Sequence, residues 1–71
     1  MGPTRTERMA DLRSRLDAIA DELADLGYAD LREAAETGSA KAVAGERRLS
    51  QARRSVLKAS ALLRGATGDD C

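Results

Sequence analysis

Histidine is absent from this 71-residue sequence, and cysteine occurs once, at Cys71. Without histidine the chain cannot build a Ser-His or Cys-His catalytic pair or a Cys/His zinc site, and one cysteine cannot form an intrachain disulfide. The acidic residues do not follow the spacing of a calcium-binding EF-hand. We therefore expect a protein that is not an enzyme and that uses no metal or other cofactor. A single cysteine is compatible with the reducing cytoplasm, where we expect this protein to be located.

Aromatic residues and long apolar runs are also scarce. Tyr28 is the only aromatic residue, and no apolar run approaches the roughly 20 residues that cross a membrane. Alanine supplies 14 of the 30 hydrophobic residues, so little material is available for a core. Chains of this size usually need a disulfide, a metal or a partner to be stable. Because the first two are missing, we expect a homo-oligomer or a complex with a partner protein, and no insertion into a membrane.

The strongest pattern in the sequence is an apolar heptad in its N-terminal third. Large apolar residues alternate at spacings of three and four, which is typical of a helix face that packs against other helices. Thr4 and Glu7 fit a capping box at the start of this helix. The sequence predicts disordered residues 1–3, followed by a helix over 4–26. The interaction seam of this helix consists of Met9, Leu12, Leu16, Ile19, Leu23 and Leu26.

Gly27 interrupts this heptad. If the helix continued, Asp30 would lie in the middle of the apolar seam. Asp30 and Glu33 instead fit the N-cap and third position of a new helix. We therefore expect a break over 27–29 and a short connecting helix over 30–37. A single helix bent at Gly27 is the alternative.

A second long helix is predicted after Gly38, which suits the end of one helix, and Ser39, which suits the start of the next. This helix spans 40–64, and its seam contains several small residues that let helix axes approach closely. Residues 65–71 show no periodicity and are expected to form a flexible tail. The seam of the second helix consists of Ala42, Gly45, Leu49, Ala52, Val56, Ala59 and Leu63.

The charged residues are divided between the two halves of the chain. Residues 1–36 carry five basic and nine acidic side chains, a net charge of −4, and residues 37–71 carry a net charge of +4. An acidic helix followed by a basic helix favours an antiparallel hairpin. The expected fold is all-α, with a single helical domain over 4–64. Two long helices and the short connecting helix form the hairpin, and two chains dimerise into a four-helix bundle.

Two charged surfaces lie beside the predicted seams. We call them the acidic ladder of the first helix and the basic row of the second, the latter a possible nucleic-acid or partner face. Arg48 and Arg53 lie closer to the seam, so we expect them to form the ion pairs of the assembly, while the basic row faces water or a partner. The acidic ladder consists of Asp17, Asp21 and Asp25, and the basic row consists of Arg47, Gln51, Arg54 and Lys58.

These features favour a small interaction or regulatory protein that acts through coiled-coil-like packing with itself or a partner protein. A nucleic-acid-associated regulator that uses the basic row is an alternative, although zero net charge and a pI of about 6.2 argue against it. The helical layout with a Gly-Asp-Asp-Cys ending also resembles precursor or scaffold peptides that are modified at the C-terminus, which would make Cys71 a modification site. Abundant alanine, and arginine in excess of lysine, are typical of proteins from GC-rich bacteria.

Overall fold

The chain forms two α-helices that pack against each other. A computed structural model describes residues 2–66, with side chains for residues 2–64. Helix α1 spans Arg5–Thr37 and helix α2 spans Ala40–Ala66. Only two residues join them, so they run antiparallel and form the expected all-α hairpin, with no strand in the described residues. In this part of the chain, no helix has both the length and the apolar composition needed to cross a membrane.

Helix α1 begins with the predicted capping box. The Thr4 hydroxyl oxygen accepts a hydrogen bond from the Glu7 backbone N–H at 3.1 Å, and the Glu7 carboxylate accepts one from the Thr4 N–H at 2.8 Å. These two bonds satisfy backbone donors that an α-helix leaves without an internal partner at its N-terminus. The predicted start of the first helix is confirmed.

Helix α1 continues through Gly27 without interruption, so the expected break and the separate connecting helix are not found. Two glycines in the helix–helix contact, Gly27 and Gly45, make the continuous helix compatible with packing against α2. A Cβ atom on Gly27 would lie 3.8 Å from the Cβ of Leu49, so the glycine is at a place of close approach. Asp30 lies in the contact, as a continuous helix requires, and Gly45 makes room for it: a Cβ there would be 2.6 Å from an Asp30 carboxylate oxygen.

The chain reverses at Gly38 and Ser39. Gly38 has a φ of 67°, a left-handed conformation that glycine adopts without strain, and its N–H donates to the Ala34 carbonyl at 2.8 Å. The Ser39 hydroxyl accepts a hydrogen bond from the Ala42 N–H at 3.1 Å, which caps α2. Both expected caps are confirmed. Residues 1 and 67–71 lie outside the described residues, and with them most of the predicted tail.

The hairpin is one helix thick. Its shortest dimension is 12 Å, close to the diameter of a single helix with its side chains. Among the described residues, Ala20 and Ala42 are the buried apolar residues, Ser60 is the buried polar one, and no large side chain is fully buried. The chain exposes 5502 Å², whereas a compact monomer of 7.5 kDa exposes about 4,200 Å². The hairpin alone therefore encloses very little apolar surface.

The two interfacial glycines give a test of the continuous helix. Gly27→Ala should raise the free energy of unfolding by up to about 1 kcal/mol, because alanine favours the helix and its Cβ fits against Leu49. Gly45→Ala should gain less or lose stability, because Asp30 must move, and adding Asp30→Ala should restore the gain. Urea denaturation measures all three variants. A loss of stability in Gly27→Ala would indicate a break at Gly27 instead.

Candidate interaction surface

The side of α1 that faces α2 differs from the predicted seam. Its residues recur at spacings of four and three and are all buried or half-buried. Only three of the six predicted seam residues belong to this inner side. The inner side of α1 consists of Met9, Arg13, Leu16, Ala20, Leu23, Gly27, Asp30 and Ala34.

The other three predicted seam residues remain largely in solvent. Leu12 is 44% exposed, Ile19 is 45% exposed and Leu26 is 57% exposed. They are seven residues apart and therefore form one line along α1, which we call the outer stripe. The apolar surface of α1 is thus wider than the strip that α2 covers.

Small side chains account for this arrangement. The inner side of α1 is rotated by roughly 40° from the centre of the predicted seam, counted at about 100° per residue. The rotation brings Ala20 and Gly27 into the contact in place of Ile19 and Leu26. The two axes approach closely where the contact residues are small, which favours packing along this side.

Helix α2 contributes a mixed inner side. Six of its seven predicted seam residues are buried or half-buried, and Ala52 is exposed. Three polar residues that were not expected there also lie on the inner side: Glu46, Ser50 and Ser60. The six predicted residues on the inner side are Ala42, Gly45, Leu49, Val56, Ala59 and Leu63.

The two broad faces of the hairpin carry different apolar residues. On a helical wheel for an antiparallel pair, the outer stripe shares one face with three residues of α2, and we call this face A. The opposite face, face B, has a shallow recess that Tyr28 and Leu31 line together with Ser50 and Arg53. The α2 residues of face A are Ala52, Ala59 and Leu62, of which Leu62 is 66% exposed.

The charged surfaces lie on opposite edges of the hairpin. All residues of the acidic ladder and of the basic row are exposed. Asp21 and Asp25 lie away from α2 and the basic row lies away from α1, whereas Asp17 lies beside α2, where its carboxylate accepts a hydrogen bond from Ser60. Arg47, Arg54 and Lys58 form no ion pair within the described residues, and the two pairs measured, Asp11–Arg15 at 2.8 Å and Arg32–Glu36 at 4.0 Å, lie within α1. Ladder and row therefore do not meet inside one hairpin.

Arg48 and Arg53 also form no ion pair in the described hairpin. Arg48 lines a recess near the turn with Asp30 and Glu33, and Arg53 borders the face B recess near Glu46. Both arginines are thus close to acidic side chains without binding them. Their role in ion pairs between chains stays a prediction.

Polar groups in the helix–helix contact were missed by the sequence reasoning. The buried Ser60 hydroxyl donates to the Asp17 carboxylate at 2.9 Å, and Asp30 faces Gly45. The two residues of each pair are nearly the same number of residues away from the Gly38–Ser39 turn. This symmetry could have identified both pairs from the sequence of an antiparallel hairpin. Arg13 is half-buried, and its Nε atom is enclosed without a hydrogen-bond partner.

No group of three or more cysteine, aspartate or glutamate side chains in the described residues is arranged to hold a metal ion. Cys71, the candidate modification site, lies outside those residues. Comparison with protein-family models, with curated proteins and with solved structures gives no match for this chain.

Arg13 provides a test of the inner side. Arg13→Leu should stabilise the hairpin by about 1 kcal/mol or more, because it removes a buried donor without a partner and adds apolar contact with α2. Arg15→Leu is the matched control, since Arg15 is exposed and paired with Asp11, and this change should cost a few tenths of a kcal/mol. Thermal denaturation compares the two. Equal effects would contradict the placement of Arg13 in the contact.

Proposed function

We propose that this chain is a small non-catalytic interaction protein of the cytoplasm that packs face A of its hairpin against helices of another chain. One observation carries the proposal. The hairpin is a single layer, no large side chain among the described residues is fully buried, and the outer-stripe residues, spaced by seven, are about half exposed to solvent. Such a stripe is typical of helices that have a second helical neighbour.

The energetics favour an occupied face A. Full burial of a leucine or isoleucine contributes about 1.5–3 kcal/mol, and roughly half of each outer-stripe side chain is still exposed. Covering the stripe would therefore contribute about 1 kcal/mol for each side chain. Small domains are stable by only about 5–15 kcal/mol in total, so this contribution is a substantial fraction.

The assembly that best fits such a surface is a bundle of long helices. In bundles each helix usually presents two adjacent apolar strips, one to each neighbour. Helix α1 has these two strips, the inner side and the outer stripe. A four-helix bundle, with coiled-coil-like packing between helices, would cover both.

A non-catalytic role is supported by the residues themselves. The chain has no histidine, and the carboxylates of the acidic ladder are exposed rather than gathered in a cleft. General acid–base catalysis instead depends on paired groups whose pKa values are tuned by their surroundings. These side chains are therefore suited to binding a partner rather than to catalysis.

A matched pair of leucines tests the proposal. Leu26 on face A is 57% exposed and Leu31 on face B is 54% exposed, so replacing either by serine should have similar effects on an isolated hairpin. If face A is covered in the working state, Leu26→Ser should cost about 1.4 kcal/mol more, which is about tenfold in the folded-to-unfolded ratio. Limited proteolysis of the tagged chain, both purified and in extracts of its host, measures this ratio. Equal protease sensitivity in both settings would refute the proposal.

A nucleic-acid-associated regulator is the second candidate. The observation that favours it is the exposed basic row, which has no acidic partner in the described hairpin. Helix α2 has seven basic side chains and a single acidic one, Glu46, so its outer edge would attract phosphates. Two observations argue against a nucleic-acid-associated regulator: the chain has zero net charge, and α2 has no aromatic residue that could stack on bases.

Electrophoretic mobility shift with mixed duplex DNA and RNA tests this second candidate. Arg54→Ala with Lys58→Ala should weaken binding and lower the slope of log affinity against log salt by about 1.5–2, because two phosphate contacts are lost. Lys41→Ala with Arg48→Ala removes the same charge from another side of α2 and is the control. Absence of salt-sensitive binding, or equal losses from both double variants, would exclude the basic row.

A further inference from the structure

We infer that the occupant of face A is a second copy of this chain, related to the first by a two-fold axis parallel to the helices. In this arrangement each α1 lies between two α2 helices, one of its own chain and one of the partner copy. The inference rests on the proposed function and adds the identity and orientation of the partner. It follows from charge, from side-chain size and from exposed area.

The charges of the two helices favour one direction of the two-fold axis. Helix α1 carries five basic and nine acidic side chains, a net charge of −4, and α2 carries seven basic and one acidic, a net charge of +6. A two-fold axis that brings face A onto face A lies within the plane of contact, either along the helices or across them. An axis across the helices stacks α2 on α2, two helices of charge +6. An axis along them stacks each acidic helix on a basic one.

Side-chain size favours the same axis independently. On face A, α1 presents the large residues Leu12, Ile19 and Leu26, whereas α2 presents Ala52 and Ala59 in its middle and one large residue, Leu62, near its end. An axis along the helices places the large side chains of one copy over the alanines of the other, which fills space evenly. An axis across them would stack large on large and small on small. Efficient packing therefore requires α1 over α2.

The register of this dimer follows from the hairpin. Rotation about an axis parallel to the helices leaves every residue at its own height. Residues of α1 and α2 at one height are nearly equidistant from the Gly38–Ser39 turn, as the Asp17–Ser60 and Gly27–Leu49 contacts show. Leu26 and Ala52 are equidistant in this sense and both belong to face A. Leu26 of one copy therefore lies beside Ala52 of the other.

The exposed area is sufficient for such a dimer. The chain exposes about 1,300 Å² more than a compact monomer of its mass, from the measured 5502 Å². Standard protein–protein interfaces remove about 800 Å² from each partner. A second copy on face A would bury an area smaller than this excess.

Sedimentation equilibrium of the full purified chain is the first test. We expect a reversible monomer–dimer equilibrium that becomes at least threefold weaker as NaCl rises from about 0.05 M to about 0.5 M, because unlike helices attract each other. The chain has zero formal net charge, so the sign of the salt effect reports which helices are neighbours. A dimer that tightens with salt would place like helices together and overturn the arrangement.

Disulfide cross-linking is the second test, because it shows directly which helices of the two copies are neighbours. In a Cys71→Ser background, Leu26→Cys mixed with a larger, tagged Ala52→Cys chain should form a mixed disulfide under mild oxidation. Leu31→Cys mixed with the same tagged chain is the control and should not cross-link, because Leu31 is on face B. Efficient self-cross-linking of Ala52→Cys would place α2 on α2 and refute the two-fold axis along the helices.

The outcomes separate this inference from the proposed function. If the purified chain stays monomeric but Leu26→Ser still increases protease sensitivity in host extracts, the second copy is refuted and another protein occupies face A. If the chain stays monomeric and Leu26→Ser and Leu31→Ser behave alike in both settings, both proposals fail.

Discussion

The contact between the two helices of this hairpin depends on small residues that let the helices pack closely. Ala20 and Ala42 are its buried apolar residues, and Gly27 and Gly45 occupy the points where a larger side chain would meet Leu49 or Asp30. Close approach maximises dispersion contacts between two helices but buries little area. The fold therefore gains a well-defined contact between α1 and α2 at the cost of leaving large leucines outside it.

The side of α1 that contacts α2 determines which side chains remain on the surface of the molecule. Because Ala20 and Gly27 face α2 in place of Ile19 and Leu26, the outer stripe lies on one broad face, and most of the charged side chains lie on the two edges. The outer stripe on face A is apolar, whereas the α1 edge is mainly acidic and the α2 edge is mainly basic. A surface segregated in this way is suited to recognise a partner in one orientation, since rotated complexes would oppose like charges.

The sequence was sufficient for the local features and insufficient for the contact. The capping box at Thr4, the turn at Gly38 and Ser39, and the two long helices depend on neighbouring residues and could be predicted. The rotation of α1 could not, because a heptad shows which residues are apolar but not which of two adjacent strips the partner helix covers. The expected break at Gly27 failed for a related reason. An aspartate in a seam predicts a break in the helix, whereas Gly45 on the facing helix provides the space that Asp30 needs.

The left-handed conformation of Gly38 has a consequence for topology. It is the only described residue with a positive φ, and it and Ser39 are the only two residues between the helices. If Gly38 and Ser39 both adopted helical angles, α1 and α2 would join into one rod about 90 Å long, and the contacts now made within a hairpin would form between two rods. This is the geometry of domain swapping, which short hinges favour. The backbone conformation of two residues thus separates a hairpin from an extended antiparallel coiled coil built from the same contacts.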